Sequence, residues 1–354
     1  MKNYNTLLNN VRKRSNPLNT TNLKAAFEGI GMPYNELSEY VKLAMVGVPE
    51  EYTKKSIATA NNVIEHLKRS HGSEVRFKFQ GSVPANTHVL SEHDVDVVQI
   101  STASYGIPVA RAREIASAYT GITTIEQNNV KKHIENFYPY SGSPVNDLYI
   151  LRVKAENALT NAYQRVDISG AKAICVNVQN PIRNVDVVTA QEYYGVQYLK
   201  SNNPNAIGIR VYDKNLHILM PEEYPFLSVE KINERGTETN DRFKKIIRFL
   251  KNIKIDAKDI IGRKPSVSSF DIYAICYDIP IYKYNTLSYM QLLPIIHEQL
   301  LKIVTDENYR NNLKSVDGQE FIFRNSPEKI DEIKTLLIVF ESVITDARTL
   351  KLVN

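Results

Sequence analysis

Two rhythms of apolar positions run along this chain. Between 34 and 72, YNELSEYVKLAMVGVPEEYTKKSIATANNVIEHLKRSHG places Ile57, Ala60, Val63, Ile64 and Leu67 at helical spacing. That predicts a long helical region ended by Gly72. EVRFKFQ then alternates Val75, Phe77 and Phe79 with polar residues, which predicts a half-buried strand, and DVDVVQI (94–100) predicts a second. IPVARAREIASAY (107–119) and VNDLYILRVKAENALTNAYQ (145–164) read as helices, RVDISGAKAICVNV (165–178) as one or two strands, and NVDVVTA (184–190) as a further short strand. Residues 1–37 are Asn-rich and weakly patterned, so a loose, peripheral segment is expected there. Around 200–240 the composition turns to Asn, Pro, Gly and Glu, which predicts a connection, and from DRFKKIIRFLKNI (241–253) onward the pattern is mainly helical. The expected organisation is a peripheral segment (1–37), a mixed α/β core (38–200) and a helical part (201–354).

The strand 94–100 carries an anomaly. Side chains alternate across a strand, so Asp94 and Asp96 share one face of an otherwise apolar run. Adjacent carboxylates repel unless positive charge sits between them, and a hard divalent cation such as Mg²⁺ supplies it. Asp186, in the short strand 184–190, is a third acid of the same kind. An Asp-x-Asp pair is also common at exposed strand ends, and either acid alone is ambiguous. Gly81-Ser82 directly follows the strand 74–80. A strand turning sharply into a helix start exposes N–H groups that bind phosphate; Gly permits close approach and Ser adds a hydroxyl. Alone, Gly-Ser is an ordinary turn, but before two acid-bearing strands it is more specific.

Composition narrows the classes. In 354 residues, 44 basic and 39 acidic side chains leave a net charge of +5, which suits an anionic substrate without demanding nucleic acid. Cys175 and Cys276 are the only cysteines, too few for a disulfide framework or a zinc ribbon. The N-terminal stretch is polar and no apolar run reaches membrane-spanning length, so a cytoplasmic protein without membrane contact is expected.

The order Gly-Ser, Asp-x-Asp, Asp resembles the polymerase-β-like nucleotidyltransferase superfamily, and within it the cGAS/DncV-like nucleotidyltransferases (CD-NTases), bacterial makers of cyclic oligonucleotide signals in anti-phage defence. Gln80-Gly81-Ser82 with Thr87 is similar to that family's start motif. KAICVNVQNPIRNVDVVTA resembles its third-acid strand, with Thr189 where Pro is common. GIRVYDK, TETNDRFKKIIRFLKNI and SSFDIYAICYDIP resemble its connection, its basic helix and its later Ser-aromatic helix, with Asp278 in place of Asn.

The resemblance implies a two-lobed α+β fold with a C-terminal helical domain, NTP substrates (ATP among them) and Mg²⁺ or Mn²⁺ as cofactor. Asp94, Asp96 and Asp186 would hold metal, with Asp186 helping to activate the acceptor hydroxyl. Gln80, Gly81 and Ser82 would meet phosphate. Lys245 and Arg248, with Lys244 beside them, would clamp the triphosphate, because Ile246, Ile247, Phe249 and Leu250 take the buried arc of their helix. Ser269 would touch phosphate and Phe270 would stack on a base. The same helix is equally a solvated basic face, and Phe270 equally a core residue. Without a zinc ribbon, DNA activation is not expected. The activity implied is condensation of NTPs into a cyclic di- or trinucleotide. Linear oligonucleotide synthesis, other nucleotidyl transfer, and an inactive nucleotide-binding scaffold remain open at this stage.

Overall fold

A computed structural model describes residues 4–15, 35–90, 94–118, 120–285 and 288–353. The chain divides into two compact units. One comprises 51–84 and 93–230; the other comprises 1–50, 85–92 and 231–354.

The first unit is built on a seven-stranded mixed sheet. Its strands are β1 (Val75–Gln80), β2 (Asp94–Gly106), β3 (Val166–Asp167), β4 (Ala173–Gln179), β5 (Ile182–Tyr193), β6 (Gly208–Asp213) and β7 (Ile218–Glu223). The order is β1-β2-β5-β4-β3, with β6 pairing the end of β5 and β7 pairing β6. Only β2 and β5 among these neighbours run parallel. Val95, Val97, Ile174, Val176, Val185 and Val187 form one core cluster with Ala60, Val63, Ile64 and Leu67 of the helix Glu50–His71 and with Ala155 and Leu159 of the helix Pro144–Ala162. The period-2 pattern thus commits Val95, Val97, Val185 and Val187 to the face covered by these two helices, while Val98, Ile100 and Ala190 on the other face are buried with Phe226 of the helix Pro225–Glu238. β5 is pinned on that face by Arg183, whose Nε donates to Ser56 Oγ at 2.8 Å and whose guanidinium lies 3.6 Å from the Tyr52 ring centroid.

The second unit is helical. Its main elements are Tyr4–Ser15, Glu36–Met45, Arg242–Ile261, Ser269–Tyr277, Leu292–Thr305 and Lys329–Thr349.

Three differences from the sequence pattern have physical causes. The long helical region is two helices, because Pro49 cannot continue the first and Val46 leaves it in an extended conformation. Residues 4–15 are not loose. Tyr4, Leu7, Leu8 and Val11 lie at helical spacing and are buried, and Arg14 donates to Asp256 and Asn252. Polar Asn between these four positions hides the period, and the stretch 16–34 lies outside the described residues. The 200–240 connection contains the β6–β7 hairpin and the whole of the helix Pro225–Glu238. Ile209 and Val211 alternate there, but the run is short and Pro221 in β7 lowers its strand signal.

Candidate active site

The register of the sheet assembles the acids. Gln80 pairs with Asp96, Asp96 with Asp186, Asp186 with Cys175, and Cys175 with Asp167, so one row crosses five strands. Neighbouring strands lie about 4.8 Å apart, and in-register positions share a face. Asp96 and Asp186 are partly accessible while their chain neighbours Val95, Val97, Val185 and Val187 are buried. The carboxylates therefore occupy the face opposite the helices Glu50–His71 and Pro144–Ala162. Asp94 takes its expected place at the start of β2, opposite Asn184 of β5. Its side chain lies outside the described residues.

Gly81 follows β1 with φ +76°, a left-handed conformation that favours glycine. A Cβ built on it would fall 2.2 Å from Asp96 Oδ2. The space a side chain would fill is occupied by the carboxylate, so the absence of a side chain here makes room for the acid. Residues 81–86 form successive turns rather than the helix start expected from the sequence. N–H groups in a turn next to a left-handed residue are suited to an anion. Ser82 is partly exposed, and Thr87 is fully buried with its hydroxyl 2.8 Å from Tyr273 Oη.

Hard oxygen donors on one open face fit a hard divalent cation. Among the described residues no group of three His, Cys, Asp or Glu side chains is gathered tightly enough to hold an ion, and that set does not include the side chain of Asp94.

The remaining sequence-predicted residues belong to the helical unit. Arg248 is 2% exposed, which departs from the expected free basic arc. Its Nε donates to Met45 O at 2.9 Å, its Nη1 to Asn86 O at 2.8 Å, and its Nη2 meets the Asp241 carboxylate at 2.6 Å. Lys244 is also buried and donates to Asn233 Oδ1 at 2.7 Å. Its stem runs where a Cβ on Gly236 would sit, and burial pulls the ammonium below the usual lysine range. Lys245 is half-buried, and among the described residues its ammonium has no hydrogen-bonding partner. Ser269 and Phe270 open the helix Ser269–Tyr277, capped by Ser268, and both are partly exposed, so Phe270 is not a fully buried core side chain.

Two polar positions on the acid-bearing face escaped the sequence reading, Asn184 and Cys175. The signal was available: counting back two residues from Asp186 gives Asn184. Cys175 required the β4–β5 register.

Residues 230–344 match the family model described as the cGAS/DncV-like nucleotidyltransferase C-terminal helical domain. A c-di-GMP synthase from Flavobacteriaceae sp. genome_bin_11 is 41% identical over 98% of this chain and 97% of its own length. The solved structure of a STING-associated CdnE c-di-GMP synthase from Flavobacteriaceae sp. matches with a TM-score of 0.86 at 40% identity, covering 98% of each chain. That of a STING-associated CdnE c-di-GMP synthase from Capnocytophaga granulosa matches with a TM-score of 0.76 at 34% identity, covering 99% of this chain and 100% of the other.

Proposed function

The chain belongs to the cGAS/DncV-like nucleotidyltransferases, and we propose that it condenses two molecules of GTP into cyclic di-GMP with release of two pyrophosphates. The reaction class is carried by one observation, the register of Asp96 with Asp186 on an open sheet face beside Gly81. The sequence implied NTPs with ATP among them; the choice of guanine alone rests on the two c-di-GMP synthases that resemble the chain over nearly its whole length.

A ribose hydroxyl of one nucleotide attacks the α-phosphorus of the other. A new P–O bond forms, the bond to pyrophosphate breaks, and Asp186 orients the hydroxyl and takes up its proton. Repetition with the roles of the two nucleotides exchanged closes the ring. Asp94, Asp96 and Asp186 would hold Mg²⁺ or Mn²⁺, which would supply positive charge against the charge that develops on the transferred phosphate. Gln80, Gly81 and Ser82 hold the donor phosphates. Lys245, with Lys244 beside it, offers countercharge. Arg248 can join that clamp only by giving up one of its present bonds. Ser269 adds a phosphate contact and Phe270 a stacking surface for a base.

The product would act as a signal in anti-phage defence, in association with STING as for the two STING-associated c-di-GMP synthases that resemble the chain. No helix among the described residues is long and apolar enough to cross a membrane. Purified protein incubated with all four NTPs and Mg²⁺ or Mn²⁺ tests the proposal by product mass. Cyclic di-GMP from GTP alone is expected. A linear or adenine-containing product, or none, overturns it.

A further inference from the structure

β2 and β5 run parallel, so a second pair lies one step from the Asp96–Asp186 pair: Asp94 opposite Asn184. Positions two apart on a strand share a face, and so do in-register positions on its neighbour. Residues 94, 96, 184 and 186 therefore mark a rectangle of Cα positions roughly 5 by 7 Å. Three corners are aspartates and the fourth is an amide. We propose that Asn184 is a positioning residue for the carboxylates of this site, orienting them for a divalent cation; the inference rests on the function proposed above.

Three observations support it. Asn184 is partly accessible while its neighbours Arg183 and Val185 are buried, which puts it on the open face with Asp96 and Asp186. The backbone at this corner is fixed from behind, since Arg183 Nη1 donates to Ile182 O at 2.6 Å and Nε to Ser56 Oγ at 2.8 Å. The polar row continues beyond it, because Asn184 pairs with Asn177, whose Nδ2 lies 3.9 Å from Cys175 Sγ.

The chemistry of the corner is selective. A fourth carboxylate would add to the mutual repulsion of three. A lysine would compete with the cation, and an apolar side chain would offer the acids no hydrogen bond from this corner. An amide brings two N–H donors and no charge, which suits a group that holds metal ligands through hydrogen bonds.

The test uses the nucleotide-free full chain with Mn²⁺ as the probe, its free fraction followed by electron paramagnetic resonance. Asn184→Ala, the near-isosteric Asn184→Asp and, as a control, Asp186→Asn are compared with the parent. The Mg²⁺ dependence of GTP turnover and metal-free thermal unfolding are measured alongside. Asn184→Ala is expected to weaken Mn²⁺ binding, and to raise the Mg²⁺ needed for half-maximal turnover, by about tenfold, with the metal-free Tm unchanged. Asn184→Asp is expected to tighten Mn²⁺ binding while lowering turnover. If Asp186→Asn weakens Mn²⁺ binding but neither Asn184 variant moves it, Asn184 is only a structural residue and the inference fails alone. If Asp186→Asn also leaves it unmoved, the metal-binding reading of the acids fails and takes the inference with it.

Discussion

The acid row of the sheet and the basic helix Arg242–Ile261 look alike in sequence, since each sets charged residues among Ile, Val, Leu or Phe. They fold to opposite ends. Asp96 and Asp186 stay accessible because their end of the shared face is left open, whereas Val98, Ile100 and Ala190 further along that face are buried in a cluster with Phe226. Lys244, Arg248, Lys251 and Lys254 are all buried, at 8%, 2%, 0% and 6% exposure. The hydrogen bonds described for them lie within their own unit. Lys254 donates to Val267 O at 3.1 Å, Lys251 Nζ lies 3.3 Å from Tyr273 Oη, and Asn252 on the same helix donates to Ala44 O at 2.9 Å. Charge inside an apolar strand marked an open face here; charge on an apolar helix marked a structural hub that ties segment ends together.

The sharpest way to break this contrast is at the acids. Asp96→Ala and Asp186→Ala should each lower turnover by about a thousandfold or more, the scale of losing several kcal/mol of transition-state stabilisation. Tm should hold, because removing one of several repelling carboxylates costs the fold little. Steady-state product assays with thermal unfolding check both halves, and near-parental turnover in either variant removes the acid row from the chemistry.

Gly81→Ala comes next. The new Cβ must displace the Asp96 carboxylate from a separation of 2.2 Å and endure φ +76°. We expect a loss of about a hundredfold in turnover, with stability falling by roughly 1–2 kcal/mol from the backbone strain. Denaturant titration beside kinetics separates the two effects.

At the helix, Arg248→Ala should act first on stability, by about 2–3 kcal/mol, since it leaves the carbonyls of Met45 and Asn86 without their donor. The Asp241 contribution is small, because that side chain is 43% exposed. Lys245→Ala should do the reverse, raising the KM for GTP by about tenfold at unchanged Tm. A KM effect at Arg248 without destabilisation would restore it to the triphosphate clamp.

The smallest effect is a labelling difference between the two cysteines. Cys175 lies on the partly accessible row beside Asp186, whereas Cys276 is fully buried and burial raises its thiol pKa far above the usual range. In the native protein a maleimide at pH 8 should modify Cys175 alone, as read by intact and peptide mass. Equal labelling would mean that the helix Ser269–Tyr277 is not packed as described.

Much of the sheet was legible in advance. β1 falls where the alternation of Val75, Phe77 and Phe79 predicts it, and β2 and β5 begin at or near their predicted acids. The helix Arg242–Ile261 starts just after TETN as expected. The helix Tyr4–Ser15 was missed although Tyr4, Leu7, Leu8 and Val11 carry the period, because two turns of helix between polar residues give a weak signal. The β6–β7 hairpin was missed because its second strand is an edge, mostly exposed and interrupted by Pro221.

Local rules of alternation determined from the sequence alone that Asp94 and Asp96 share a strand, that Asp186 lies on another, and that a glycine turn precedes them. Only the tertiary structure decided that β2 and β5 are neighbours in a register that sets Asp96 against Asp186 and Asp94 against Asn184. Strand pairing is a long-range choice made by the packing of Val95, Val97, Val185 and Val187 under two helices. It also decided that Arg248 holds three chain segments rather than facing solvent, since a helix's periodicity says which positions are apolar but not what will surround its charged ones.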